Sequence, residues 1–261
     1  MDGSMWVAKT GLSAQSTRMT VIANNLANVN TVGFKKDRAN FEDLLYQRIV
    51  QAGSQADVVA ENPTGLMLGT GTRVVATEKI HRQGNMISTE NSLDIAIAGD
   101  GFFAIQQADG TIAYTRDGSF KLDNAGALVT ASGETTIPQI NIPQDAISIN
   151  VGRDGTITVE LAQGGGAVQV GQLQLSRFVN NAGLMPQGRN LYAETNASGQ
   201  PIVGIPGAQG AGMLMQGTLE ASNVNVVEEM VNMIETQRAY EINSKAISAA
   251  DGMLRFLNNN L

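Results

Sequence analysis

MWVAKTGLSAQSTRMTVIANNLANV, residues 5–29, places Met5, Ala8, Leu12, Met19, Ile22, Leu26 and Val29 at helical spacings, with Gln15 as the one polar member of the series. Alternating steps of three and four are the period of a helix with a heptad seam. Val7, Ala14 and Val21 form a further apolar column beside it. The far end of the chain has a similar pattern. Over residues 219–261, Val226, Met233, Tyr240, Ile247 and Leu254 recur every seven residues. Ala239, Ala246 and Met253 make a second column, and Ile242, Ala249 and Phe256 a third. Together these columns span about 160° of helix surface, against about 100° for an ordinary surface helix. One partner helix leaves much of that arc open. Asn223 or Asn225 suits the N-cap of this helix, and Glu228 and Glu229 suit its first turn.

Charge divides the two ends. Residues 1–36 hold Lys9, Arg18, Lys35 and Lys36 against Asp2, and are net positive. Residues 219–261 hold three basic and six acidic residues, and are net negative. Two apolar-faced helices of opposite charge are natural partners, although exposed ion pairs select a partner more than they stabilise it. The whole chain of 261 residues has a formal net charge of −7, which argues against a nucleic-acid surface. With no Cys and one His, thiol chemistry, Cys-ligated zinc and His-rich metal sites are excluded. No run of apolar residues reaches membrane-span length or the pattern of a cleaved secretory signal.

Between the helices, about residues 74–215, the pattern changes to period two. Leu93–Ile97, Thr156–Val159, Val168–Val170 and Leu173–Leu175 alternate as strands do. Asp109-Gly110, Asp117-Gly118, Asp154-Gly155, Asp123–Gly126 and Gly164–Gly166 punctuate them as turns and loops. Gly99-Asp100-Gly101-Phe102-Phe103-Ala104 matches a dinucleotide fingerprint in form, but no helical stretch follows it, so it reads as a tight β turn. His81 lacks a nucleophile motif to serve and reads as a surface or hydrogen-bonded residue. The fold class is therefore α+β. N- and C-terminal helices pair into a coiled-coil-like assembly domain (1–35 with 219–261). An extended connecting segment (36–75) leads to a central, mainly antiparallel β domain (76–218). No catalytic, cofactor or metal residue is assigned.

The same stripes also suit an ordinary α+β monomer whose end helices cover a sheet, since heptad stripes occur in ordinary cores. Two other readings stand beside an assembling structural protein. One is a β-rich enzyme on cell-wall polymer, which needs two of Asp94, Asp100, Asp117 and Asp123 to converge. The other is a soluble regulatory or chaperone-like binder. The wide C-terminal arc argues against both.

Ala23-Asn24-Asn25-Leu26-Ala27-Asn28-Val29-Asn30-Thr31-Val32-Gly33-Phe34-Lys35 resembles the N-terminal signature of bacterial flagellar rod and hook proteins. LDIAIAGDGFF (93–103), and YTRDGSF (114–120) with GALV (126–129), resemble two β-domain motifs of that family. GTLEASNV (217–224) and MIETQRAYE (233–241) resemble its C-terminal signature. The segment PTGLMLGTGTR (63–73), in a chain of this length, is most similar to the family's distal-rod members.

The resemblance implies a structural subunit of the flagellar basal body, with no enzymatic activity and no cofactor. It implies export through the flagellar type III channel without a cleaved signal, and self-assembly into a hollow helical rod crossing the periplasm. That rod carries torque from motor to hook and passes exported subunits. Terminal helices would form the inner wall, through Met5, Leu12, Met19, Ile22, Leu26, Met233, Tyr240, Ile242, Ile247, Met253, Leu254 and Phe256. The β domain would form the outer layer, and residues 46–73 would pack between subunits. The implied partners are further copies of the chain, proximal rod proteins, the hook protein, the peptidoglycan- and outer-membrane-ring proteins and the export apparatus, with neither nucleic acid nor a membrane span. Asn24, Asn25, Asn28, Thr31, Gly33 and Phe34 are the signature residues. Physically, Asn is poor inside a helix and good at its end, and Gly33 can take the positive φ that stops one.

Overall fold

A computed structural model describes residues 3–51, 55–57, 60–61, 64–162 and 166–259. Met1, Asp2, Pro63, Gly164 and Gly165 lie outside the described residues. The first helix, α1, runs Gly3–Ala27, and the last, α2, runs Val226–Asn259. Everything described between them is strand, turn or a short 3-10 segment at Asn181–Gly183. The chain is thus α+β, with antiparallel strand pairs throughout the central region. Among the described residues no helix is long and apolar enough to cross a membrane.

Two compact units divide the chain. The first holds residues 1–27, 37–78 and 225–261. In it α1 and α2 pack against each other, as their opposite charges suggest. Residues 36–75, expected as an extended connection, are extended but paired. Asp37–Asp43 pairs with Thr72–Lys79, and Tyr46–Val50 pairs antiparallel with Leu66–Gly69. Ion pairs Arg38–Glu78 and Glu42–Arg73 link the outer strands, and the Leu44 N–H donates to the Gly71 carbonyl at 2.9 Å. This ribbon leaves Phe41, Leu45, Tyr46, Ile49, Leu66, Met67, Leu68 and Val75 exposed. A two-stranded ribbon with such bare apolar faces is marginal alone in water.

The second unit holds residues 28–36 and 79–224. Phe102–Gln106 is its central strand. It pairs along one edge with Ile112–Thr115, and along the other with Thr135–Ile137 and Leu175–Arg177. Side chains alternate across it. Phe103 and Ile105 enter a cluster with Ile95, Ile97, Phe120, Leu128 and Leu175, while Phe102 packs with Tyr114, Phe178, Leu184 and Tyr192. Both faces are therefore covered. The Gly99-Asp100-Gly101 turn leads directly into this strand, as its missing helix suggested. Gly99 sits at φ +118, and a Cβ there would lie 2.9 Å from the Gly212 backbone, so only glycine fits the turn.

Asp109-Gly110-Thr111-Ile112 and Asp154-Gly155-Thr156-Ile157 close the same local turn. In each, the aspartate accepts the Thr N–H (2.9 and 3.2 Å) and the Thr hydroxyl (2.6 and 2.7 Å). Those donors favour the ionised carboxylate and lower the pKa of both Asp109 and Asp154.

Candidate assembly interface

The two helices run antiparallel. Asn25 Nδ2 reaches Glu229 Oε2 at 3.4 Å, Arg18 lies 3.9 Å from Glu235, and Gly11 lies against Asn243. A Cβ on Gly11 would stand 3.2 Å from the Asn243 amide nitrogen, so glycine permits the close approach. Each step toward the start of α1 thus meets a step toward the end of α2.

On α1 the seam read from sequence faces inward. Ala8 and Ile22 are buried, and Met5, Leu12, Gln15, Met19 and Leu26 are half-buried. On α2 the inward stripe runs Glu229, Met233, Thr236, Ala239, Asn243, Ile247 and Ala250. Thr236 is fully buried and Glu229 nearly so. The inner stripe is consequently mixed in polarity, and much of the apolar arc points elsewhere. Met233 and Ile247 are half-buried in the seam, while Tyr240 is exposed.

At about 100° per residue, Val227, Met230, Val231, Ile234, Ile242 and Phe256 form one stripe opposite the α1 seam. All six are exposed, Val227 at 71%, Ile242 at 67% and Phe256 at 70%. Met253 flanks its far end, Leu254 continues the inward stripe past the start of α1, and both are exposed. The antiparallel register brings Gly3 level with about Asp251. Beyond it, residues 252–256 are exposed on every side. At 1.5 Å per residue, α2 continues about 12 Å past α1. A cleft of about 860 Å³ lies in the same unit, lined by Trp6, Val7, Leu68, Gly69, Asn243 and Ala246 among others.

The signature residues divide between the two units. In the first unit Asn25 is buried and joins three elements. Its Oδ1 accepts the Asp37 N–H at 2.8 Å, and its Nδ2 donates to the Asp37 carbonyl at 2.9 Å and to Glu229. Asn24 Nδ2 donates to Asp37 Oδ2 at 3.3 Å. Asn25→Ala removes both backbone partners at once and should cost about 1–3 kcal/mol. Trp6 lies on α1 and is the chain's single tryptophan, so its fluorescence in urea reads that loss in this unit directly. Asn225 takes the cap of α2, its Oδ1 accepting the Val227 N–H at 3.0 Å.

In the second unit Thr31 donates to Asn28 Oδ1 at 3.2 Å, and Gly33 stands at φ +70. A Cβ on Gly33 would lie 2.8 Å from the Arg116–Asp117 backbone, which no side-chain movement relieves. Phe34 is buried, with Lys79 Nζ 4.8 Å from its ring centroid.

A cluster missed by the sequence reading sits beside Phe34. Lys35, Arg116 and Glu220 are 0%, 2% and 1% exposed. Lys35 Nζ donates to Glu220 Oε1 at 2.5 Å and to the Arg82 carbonyl at 3.0 Å. Arg116 donates to Glu220 Oε2 at 3.2 Å, and the Gly84 N–H to Oε1 at 2.8 Å. Burial pulls both cations below their usual pKa range, and the Glu220 carboxylate opposes it. The Gly33 N–H also donates to the Glu220 carbonyl at 2.8 Å. Asn223 accepts the Lys36 N–H at 2.8 Å and donates to the Ile80 carbonyl at 2.7 Å. The segments that root both helices are therefore clamped together. The available signal was that all three charges fall inside the signature motifs of a chain with only 16% charged residues.

Among the described residues no three His, Asp or Glu gather as a metal site. Asp94, Asp117 and Asp123 each hold their own turns. Asp94 accepts from Thr89 at 2.7 Å, Asp117 from the Ser119 hydroxyl at 2.7 Å, and Asp123 from the Asn124 N–H at 2.7 Å.

Sequence comparison meets this geometry at the same places. Residues 5–35 match the family described as flagella basal body rod protein. Residues 215–260 match the flagellar basal body rod FlgEFG protein C-terminal family, and residues 96–159 the flagellar hook protein FlgE/F/G D1 domain. The flagellar basal-body rod protein FlgG of Buchnera aphidicola subsp. Schizaphis graminum is 56% identical over 257 residues, covering 98% of this chain and 99% of its own. The chain belongs to the flagellar basal-body rod protein family. FlgG of Borreliella burgdorferi is 50% identical over 261 residues, 99% of this chain and 98% of its own, and FlgG of Bacillus subtilis is 40% identical over 261 residues, 98% of each. As a member of this family the protein is a structural rod subunit of the flagellar basal body. The N-terminal family match covers most of α1 and the clamped 28–35 segment, and the C-terminal match covers all of α2.

Proposed function

We propose that the subunit polymerises into the hollow helical distal rod, which crosses the periplasm and transmits torque from motor to hook. Its helices line the channel through which later subunits pass, and the chain itself travels that export route. It carries load and makes or breaks no bonds. Proximal rod proteins and the hook protein are its end neighbours, and the peptidoglycan- and outer-membrane-ring proteins surround it.

The observation that carries this reading is the apolar stripe of α2 on the side away from α1. A helix face of this length left bare in one chain is what a neighbouring subunit covers. The bare ribbon of residues 37–50 and 66–79 supports packing between subunits in the same way. Heterologous contacts that do not close on themselves generate helical filaments.

Limited proteolysis of dilute monomer against assembled polymer tests the reading, with fragments identified by mass spectrometry. Cleavage is expected in the helical ends and ribbon of the monomer, leaving a resistant core within 79–224, and assembly should protect the same sites. Equal resistance of helices and core in the dilute monomer would remove the argument from incomplete burial.

A further inference from the structure

His81 is the only histidine in the chain. Sequence reading expected a surface or hydrogen-bonded imidazole. Instead both ring nitrogens are shut off from solvent, and neither has a hydrogen-bond partner within bonding geometry. The ring packs edge-on against Phe102 and Tyr192, with centroids 5.4 and 5.3 Å away. Three cations face it from separate segments: Lys35 of the 28–36 root, Arg116 after the Ile112–Thr115 strand, and Lys79 just before it in sequence. The Asn181 backbone, on the 3-10 segment, opposes them, with the weakest effect of these groups around the ring. The nearby carboxylates of Glu220 and Asp100 act on Lys35 and Arg116.

We propose that His81 is an acid-sensitive pin. The fold accepts its imidazole only in neutral form, and protonation opens the Lys35–Glu220–Arg116 clamp and frees residues 28–36 and 218–224. The charge balance gives the mechanism. Glu220 already serves two buried cations, and a protonated His81 would bring one more positive charge beside them without a carboxylate of its own. A charged, unpaired group in such a place is strongly disfavoured.

Burial, helped by Lys35, Arg116 and Lys79, pushes the His81 pKa down from 6.5 to about 3. The folded value lies below the unfolded one. The neutral-imidazole contribution to stability is therefore complete above pH 6.5 and drains away as pH falls toward 3. The device is independent of the polymer interface and concerns the roots of the helices within one chain.

Because the histidine is unique, its imidazole proton resonance in the full-length chain can be followed without assignment. No titration should appear between pH 8 and 5, and a midpoint near 6.5 in the folded protein would overturn the proposal. Hydrogen exchange reads the opening itself, at the amides of Gly33, Lys36 and Gly84, which bond into the clamp. Relative to His81→Phe, the wild-type opening equilibrium should rise by up to about tenfold per pH unit, or about 150-fold from pH 6.5 to 4. Parallel pH profiles in the two proteins would refute the pin. Should His81→Phe fail to fold, Lys79→Met leaves the imidazole in place and removes one facing cation. Its ring should then take a proton at higher pH than in wild type, and an unchanged titration would refute the electrostatic account.

Discussion

Glu220→Ala should destabilise the β-rich unit by about 3–5 kcal/mol, the cost of breaking a buried ion pair from one side. The substitution leaves Lys35 and Arg116 facing each other without the carboxylate between them, and both are almost fully buried. It also removes the acceptor of the Gly84 N–H at 2.8 Å. Glu220→Gln keeps the shape and loses the charge, so most of the effect should remain. Replacing Lys35 by Met in the Glu220→Ala background should recover part of the loss, because one of the stranded cations is gone. Urea denaturation followed by far-ultraviolet circular dichroism gives the comparison. A loss under about 1 kcal/mol would mean that solvent reaches the cluster, and that the clamp does not hold the helix roots.

The second large effect concerns assembly and should barely touch the monomer. Ile234→Ser combined with Ile242→Ser alters two exposed side chains on the outer stripe of α2. Exposed substitutions of this kind usually change stability by less than about 0.5 kcal/mol each. Polymer contacts that bury those side chains would each lose about 1.5–3 kcal/mol. The critical concentration for polymerisation should therefore rise at least about 100-fold, since each 1.4 kcal/mol is about tenfold. Ile147→Ser, equally exposed but on the β-rich unit, is the matched control and should assemble near the wild-type concentration. Sedimentation of polymer across a concentration series measures both. Assembly of the double variant at wild-type concentration would place the subunit contact elsewhere, on the ribbon or on the α1 side.

These expectations draw on features that were unequally legible. The helix of residues 5–29 was readable because its period is carried by near neighbours. The two Asp-Gly-Thr-Ile turns form alike because every bond that closes them lies within a few residues. Asn25 was readable as a signature residue, but its buried junction with Asp37 and Glu229 joins groups far apart in sequence. The Lys35–Glu220–Arg116 cluster was invisible for the same reason, with its members up to 185 positions apart. His81 was misplaced because nothing beside it in sequence announces the Phe102 and Tyr192 rings.

Sequence alone determined what local pattern can determine: two helices of opposite charge, a β-rich middle punctuated by Asp-Gly turns, and an apolar arc on the last helix too wide for one partner. Periodicity and turn chemistry act over a few residues, so they need no knowledge of the fold. Only the tertiary structure decided which side of that arc meets α1. Gly11 lets Asn243 approach and Asn25 bonds Glu229, so the mixed Glu229–Thr236–Asn243 stripe turns inward and Val227, Ile234 and Phe256 are left outside. Packing selects among faces that the period makes equally available, through close approach and buried hydrogen bonds between residues the sequence keeps far apart.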